Sequence, residues 1–264
     1  MIMITTYTKE DVIESLRKIK AKGWVQNRRH GNAGGVGNTL EDLLGVKENN
    51  LAIANAGEWE LKTQRKQTNS LLTLYHCEPS PRNARLVPQM LLPLYGWRHK
   101  EAGNKYPDSE LSFRQTIDAI SPSDRGFMVK IDYANKRFQT SFDSRAVSER
   151  HEIWLESVKS RAGLGELDPQ PYWGFSDIEH KAGTKLLNCF YILAETKREN
   201  GQEYYLYDDI KMLNTFSFDK LLEAIKQGDV LVDFDARTGH NHGTKFRVKQ
   251  SAIANLYDSV TTIS

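Results

Sequence analysis

The segment Asn55-Ala-Gly-Glu58-Trp-Glu60-Leu61-Lys62-Thr63 has the combination of residue types richest in chemistry. Side chains of a strand alternate between faces, so Glu60 and Lys62 share one face while Leu61 takes the other. A carboxylate beside an ammonium can hold a divalent metal and orient a water against a phosphate, the two parts that metal-assisted phosphodiester hydrolysis requires. Such a site also wants a second carboxylate on a turn just upstream. Five residues before Glu60 the chain has Asn55 instead. Glu-x-Lys alone is not diagnostic, because exposed strands carry cross-face charges constantly. Glu58 shares the parity of Glu60, as an assisting ligand or as a rim charge.

A second polar constellation is Arg237-Thr-Gly-His240-Asn-His242-Gly-Thr-Lys245-Phe-Arg247. An arginine can read guanine O6 and N7 bidentately, and Asp233, upstream, could accept from cytosine N4. Gly239 and Gly243 would permit close backbone approach. Taken alone, the same residues read as a polar hairpin turn with ordinary surface charges. His240-Asn241-His242 is not an HNH nuclease motif, which is dispersed over a ββα unit, and two histidines with no third ligand nearby do not make a metal site. The loop GGVGNT fails as a phosphate-binding P-loop, because Asn38 stands where lysine is required.

These residues need elements to position them. Residues 10–22 place Val12, Ile13, Leu16 and Ile19 at helical spacing, with Gly23 as the stop. Arg28–Asn38 is a glycine-rich loop, and Thr39 is the expected N-cap of a short helix ended by Gly45. A strand is expected over Glu58–Thr63, with Ser70–His76 pairing beside it. Residues 78–93 read as irregular, and 103–126 as a long excursion with little periodicity. Short strands follow at Phe127–Tyr133, Phe138–Phe142 and Glu152–Glu156. Leu186–Thr196, apolar on both faces, is the strongest strand signal and is expected at the centre of a sheet, with Glu203–Tyr207 as its partner. Phe218–Lys226 reads as a helix, and Val230–Phe234 and Lys245–Lys249 as strands. The mixed order points to an α/β or α+β fold.

Composition narrows the class. The chain has 264 residues, 36 Lys+Arg against 34 Asp+Glu, and 39% hydrophobic residues, which excludes a disordered, collagenous or disulfide-stapled protein. Cys77 and Cys189 form no framework, and Cys189 sits in an apolar run where a small buried thiol is expected. No apolar stretch reaches the roughly 18 residues needed to span a bilayer. With an N-terminus unlike a signal peptide, the expected location is cytoplasmic. Net charge near zero argues against a non-specific DNA coater, while the clusters Arg28-Arg29-His30, Lys62 to Lys66 and Arg237 to Lys249 allow local basic surfaces. Trp59, Tyr75, Tyr172, Trp173 and Phe175 are expected in packing roles rather than stacked on bases.

The runs GNAGGVGNTLEDLLG, ENNL, NAGEWELKTQR and SLLTLYHCEPSPR, followed by PYWGFSD, AETKRENGQEYYLY and NHGTKFRV, resemble in the same order the MvaI/BcnI family of type II restriction endonucleases. These are relatives of the nicking enzyme MutH within the PD-(D/E)XK nuclease fold. The resemblance covers most of the chain. It implies a mixed sheet flanked by helices and a separate recognition lobe, with residues 1–100 and 185–210 catalytic and 101–184 and 211–264 reading DNA. It implies an Mg²⁺-dependent monomer that cuts double-stranded DNA at short CCNGG-like sites, leaves 5′-phosphates and is paired with a cognate DNA methyltransferase. Glu60 and Lys62 match the family's Glu-x-Lys, as metal ligand and partner of the attacking water. Glu41 matches an acidic residue that reaches the metal or steadies the lysine, and Asn55 stands at the metal-binding aspartate. Arg237, His240, His242, Lys245, Arg247 and Asp233 fall in the recognition segment, with Arg29, Arg65 and Lys66 as further DNA-contacting candidates. An asparagine at position 55 brings no charge to hard Mg²⁺. It fits a deliberate Asp→Asn inactivation or a naturally weak nuclease. The alternatives are a MutH-like nicking enzyme and a catalytically dead sequence-specific DNA-binding protein.

Overall fold

The computed structural model describes residues 8–27, 34–45, 59–66 and 68–264. Arg29, Asn55 and Glu58 lie outside the described residues, as does most of the glycine-rich loop. The described residues form a mixed α+β protein with six α-helices and three sheets. None of those helices is long and apolar enough to cross a membrane. The chain divides into two compact units, one of residues 1–70, 182–217 and 253–264, the other of 71–181 and 218–252. It thus divides at positions other than 100, 184 and 210. Strand pairing explains the difference, because 72–76 hydrogen-bonds to 245–248, and 257–262 to 211–216.

In the first unit, the helix Lys9–Ala21 opens on a capping box: the Asp11 amide donates to Thr8 Oγ1 at 3.1 Å and the Thr8 amide to Asp11 Oδ2 at 2.8 Å. Val12, Leu16 and Ile19 face the core, as their spacing predicts. The next helix, Gly35–Leu44, begins four residues before Thr39. Thr39 is therefore no cap; it is buried inside the helix and its hydroxyl donates to Asn27 Oδ1 at 3.4 Å. The early start depends on Gly35, where a Cβ would come within 2.8 Å of the Tyr205 hydroxyl. Gly45, at φ +70°, ends the helix as expected.

The sheet of this unit runs in the order Val25–Gln26, Gln202–Phe216, Asn188–Glu199, Trp59–Arg65, with Tyr257–Thr262 also paired to Gln202–Phe216. Trp59–Arg65 runs parallel to Asn188–Glu199, and the other pairings are antiparallel. The run read as central is central: Phe190, Ile192 and Ala194 pack with Leu16, Leu40, Tyr205 and Ile210 in one core. Ser70–His76 does not pair with the Glu-x-Lys strand. Leu72–His76 lies in the second unit's sheet instead, against Lys245–Val248.

That second sheet has the order Leu72–His76, Lys245–Val248, Val230–Arg237, Leu111–Ile117, Trp97–Arg98, antiparallel throughout, with His240–Asn241 folded back on Val230–Arg237. A separate three-stranded sheet joins Arg125–Asp132, Arg137–Val147 and Tyr172–Gly174. Three local expectations are corrected here. Residues 152–156 are helical, as part of Glu152–Ala162, which buries Trp154 and Val158 and leaves Ile153 exposed. The stretch 103–126 contains the strand Leu111–Ile117, and 78–93 coils into helical turns at Arg82–Ala84 and Val87–Leu91. Trp173 and Tyr75 are buried in packing roles, the Trp173 indole donating to the Cys77 carbonyl at 3.0 Å.

Candidate active site and nucleic-acid interface

Glu60 and Lys62 lie on Trp59–Arg65, the outermost strand of the path Val25–Gln26 to Trp59–Arg65. Trp59 and Leu61 turn toward the helix-covered core. Alternation leaves Glu60 and Lys62 on the other face, where Lys62 Nζ stands 2.9 Å from Glu60 Oε1. Their side chains are 14% and 34% exposed for Lys62 and Glu60, so the pair is sheltered yet reachable. Cys189 is in register with Glu60 on the adjoining strand and is fully buried. Burial pushes its thiol up to about 12, the Lys62 charge opposing this weakly, so the group stays protonated. Burial likewise raises the Tyr257 hydroxyl, with smaller contributions from Cys189 and Glu60. The ion pair therefore stands beside neutral groups.

Further along this face, Gln64 accepts from the Tyr191 hydroxyl at 3.0 Å and donates to the Ser70 carbonyl at 2.5 Å. Lys66 Nζ meets Asp208 Oδ2 at 2.6 Å and Glu195 Oε1 at 3.3 Å. Burial disfavours the Lys66 charge, but those two carboxylates outweigh it and raise its pKa. On the opposite face, Arg65 bonds Glu203 at 3.2 Å and the Tyr205 hydroxyl at 3.2 Å. Arg65 and Lys66, proposed from sequence as DNA contacts, are thus engaged within the protein. Glu41 lies half-buried on Gly35–Leu44, whose Leu40 and Leu44 enter the core. Asn55 and Arg29 fall outside the described residues.

In the second unit one face of the five-strand path is apolar, with Val232, Phe234, Phe246, Val248, Phe113 and Ile117 buried. The other face is a ladder of charges. Asp233 accepts from Arg247 Nη1 at 3.2 Å and from the Thr116 hydroxyl at 2.9 Å. Asp235 accepts from Lys245 Nζ at 3.0 Å and from Arg114 Nε at 2.5 Å. Burial would raise the Asp235 carboxyl, but the Arg114 and Lys245 hydrogen bonds outweigh it and hold the group below the usual range. Arg237 bonds Glu110 Oε1 at 3.0 Å and lies 4.6 Å over the Tyr106 ring. His240 and His242 are exposed, their rings 4.2 Å apart in an edge-on contact. The structure therefore brings Asp233, Lys245 and Arg247 onto one face, and places His240 and His242 on the adjoining turn.

Sequence reasoning missed the residues that hold this arrangement. Glu78 accepts from the Thr244 amide at 2.8 Å and from Asn241 Nδ2 at 3.4 Å, pinning the turn that contains Gly243 at φ +86°. Arg114 was invisible because its strand was not expected. Glu110 is almost buried, an uncommon place for a carboxylate unless it is paired. Only that burial, and not its sequence context, would have pointed to Arg237.

The mixed sheet with an outer Glu-x-Lys strand places the chain among nucleases of the PD-(D/E)XK type. Its structure matches that of the restriction endonuclease MvaI in complex with its cognate DNA substrate at a TM-score of 0.74 and 25% identity, over 96% of this chain and 97% of that one. It also matches MvaI in the absence of DNA at a TM-score of 0.55 and 24% identity over the whole of both chains, a likeness of fold alone. Curated proteins provide no match. The profile of the MvaI/BcnI restriction endonuclease family matches residues 13–257. The chain belongs to that family of type II restriction endonucleases, and its class of activity is site-specific cleavage of DNA.

Proposed function

We propose that this protein hydrolyses both strands of duplex DNA at a short CCNGG-like site, as an Mg²⁺-dependent monomer leaving 5′-phosphates and partnered in its host by a cognate methyltransferase. The observation that carries the reading is the Lys62–Glu60 pair at 2.9 Å on an outer strand. Its chemistry fits the metal in part: Glu60 offers a hard carboxylate oxygen of the kind Mg²⁺ prefers, and Asn55 a neutral amide oxygen. Among the described residues no group of three His, Cys, Asp or Glu is placed to hold an ion, so Glu60 would need Asn55, phosphate oxygens and waters to complete the set. Bound there, Mg²⁺ would polarise the phosphoryl group and acidify a water. Lys62 can only donate hydrogen bonds, so it would hold the attacking oxygen or a phosphoryl oxygen in place. The water oxygen bonds to phosphorus as the bond to O3′ breaks, giving a 5′-phosphate and a 3′-hydroxyl.

We assign reading of the duplex to the charged sheet face of the second unit. A carboxylate–guanidinium ladder presents donors and acceptors in fixed order, the requirement for discriminating base edges in a major groove. The DNA complex of the similar MvaI structure supports a duplex as the partner.

Asn55 supports a second reading, a sequence-specific DNA-binding protein with a decayed metal site. Unmethylated plasmid incubated with Mg²⁺ and either the protein or its Asn55→Asp variant separates the two. Discrete fragments from either protein support the endonuclease, and fragments from the variant alone assign the block to Asn55. Specific binding without cleavage by either overturns it in favour of the binding protein.

A further inference from the structure

A cleft of about 210 Å³ in the second unit is lined by Arg114, Arg125, Arg150 and His151, with Trp97 and Gln115 in its wall. The Arg125 guanidinium lies 4.1 Å from the Trp97 ring and 5.2 Å from that of Trp154. Its Nη1 is 2.7 Å from His151 Nε2. A guanidinium only donates, so His151 Nε2 accepts, and the imidazole is neutral with its proton on Nδ1. No carboxylate pairs with Arg125 among the described residues, and Arg125 Nε and Gln115 Nε2 are buried donors without a hydrogen-bond partner. The Gln115 carbonyl is already taken by the Ser123 hydroxyl at 3.2 Å.

Other features add to this surplus of donors. Arg114 and Arg150 reach the same cleft, the first held by Asp235 and the second by Asp124, the one acidic residue in the lining. His151 is the N-cap of the helix Glu152–Ala162 and makes no side-chain capping bond, so the first-turn amides contribute their partial positive charge there. Burial, and then the charges of Arg125 and Arg150, lower the pKa of His151. Arg125 is half-buried with its Nε shut off from solvent, so its charge is partly desolvated without a counter-charge, a net cost. Stacking between two tryptophans recovers only about 0.5–2 kcal/mol.

We propose that this cleft binds a phosphate group, its oxygens taking the place of the missing carboxylate opposite Arg125, with Arg150 and Arg114 at the rim. Arginine forks match phosphate geometry, and at a water's share of about 30 Å³ the cleft has room for such a group. The shared chemistry admits two sources: a backbone phosphate of bound duplex, which rests on the endonuclease reading, or a free phosphate species, which does not.

The His151 ring resonances of the full-length protein report on both. They are followed against pH in EDTA, alone, with inorganic phosphate, and with duplex DNA. A phosphate beside His151 raises its pKa by about one unit. In parallel, the salt dependence of duplex affinity is compared with that of Arg150→Gln, a rim substitution at a side chain 67% exposed. A rise with duplex, joined by a salt slope flattened by about one in the variant, assigns the cleft to a DNA backbone phosphate. A rise with inorganic phosphate alone assigns it to a free species. No rise with either overturns the proposal and leaves Arg125 as a packing element between two tryptophans. If the protein neither binds nor cuts duplex, the endonuclease reading fails, and the inorganic phosphate titration still decides the cleft.

Discussion

The Lys245 ammonium stands 3.0 Å from the Asp235 carboxylate in a diagonal contact, since the residue directly opposite Lys245 is Asp233. Because the other Asp235 oxygen holds Arg114 from the strand on the far side, one carboxylate fixes two cations across three strands. Asp235→Asn keeps the shape and loses the charge. It should cost about 1.5–3 kcal/mol of stability at neutral pH.

That loss should depend on pH in a defined sense. The folded Asp235 carboxyl titrates below its unfolded value of about 3.9. Its contribution is therefore fully present above about pH 4 and disappears as pH falls through the depressed folded value. Urea midpoints of the parent and Asp235→Asn should converge between neutral pH and about pH 2. A gap that stays constant over that range would remove Asp235 from the account.

Lys62→Met should separate chemistry from binding. Whichever form cleaves, the parent or Asn55→Asp, should lose roughly 10²–10⁴-fold in single-turnover cutting. Duplex affinity in EDTA should persist, because Lys62 is only 14% exposed and already paired with Glu60. Equal losses in affinity and rate would mean that Lys62 serves ground-state binding of the duplex and not the chemical step.

Two glycines of one helix should respond with opposite signs. Gly35→Ala puts a Cβ 2.8 Å from the Tyr205 hydroxyl and 2.9 Å from Asn27 Nδ2, and should destabilise by about 1–3 kcal/mol. Gly37→Ala meets nothing within 4 Å and should stabilise by about 0.5–1 kcal/mol. Chemical denaturation of the two variants checks both. A neutral Gly35→Ala would show that Tyr205 gives way without cost.

Glu78→Ala leaves the Thr244 amide without its acceptor and frees the turn that presents His240 and His242. Affinity for the preferred duplex should fall roughly tenfold, about 1.4 kcal/mol, while affinity for unrelated duplex stays level. A uniform fall in both would place this turn on the DNA backbone and not on the bases.

The parts of this architecture written in local pattern were readable from sequence. Asn188–Glu199 announces itself through an apolar run on both faces, and the helix Phe218–Lys226 falls where its spacing puts it. The shared face of Glu60 and Lys62 follows from parity alone. Pairing partners were not readable, because hydrogen bonding between strands leaves no trace in either strand's own period. Leu72–His76 was therefore set beside the wrong neighbour. Glu-Ile-Trp-Leu-Glu at 152–156 is a short run with β-branched and aromatic residues that imitates a strand, yet its Ile153 is 91% exposed on a helix. Leu111–Ile117 carries Arg114, Gln115 and Thr116 in succession, which hides its apolar face. Long-range charge partners were hidden as well: Arg65 and Lys66 look free in sequence, but Glu203, Asp208 and Glu195, which pair with them, come from well over a hundred residues away.

The chain order of the two units bears on synthesis. The sheet of Glu60 and Lys62 draws on residues 1–70, on 182–217 and finally on 253–264, whereas the second unit is complete by residue 252. On a ribosome, Tyr257–Thr262 emerges after every strand of the charged sheet face of the second unit. The strand of Glu60 and Lys62 is thus made early, yet its sheet gains Tyr257–Thr262 only after the second unit's strands have all been synthesised.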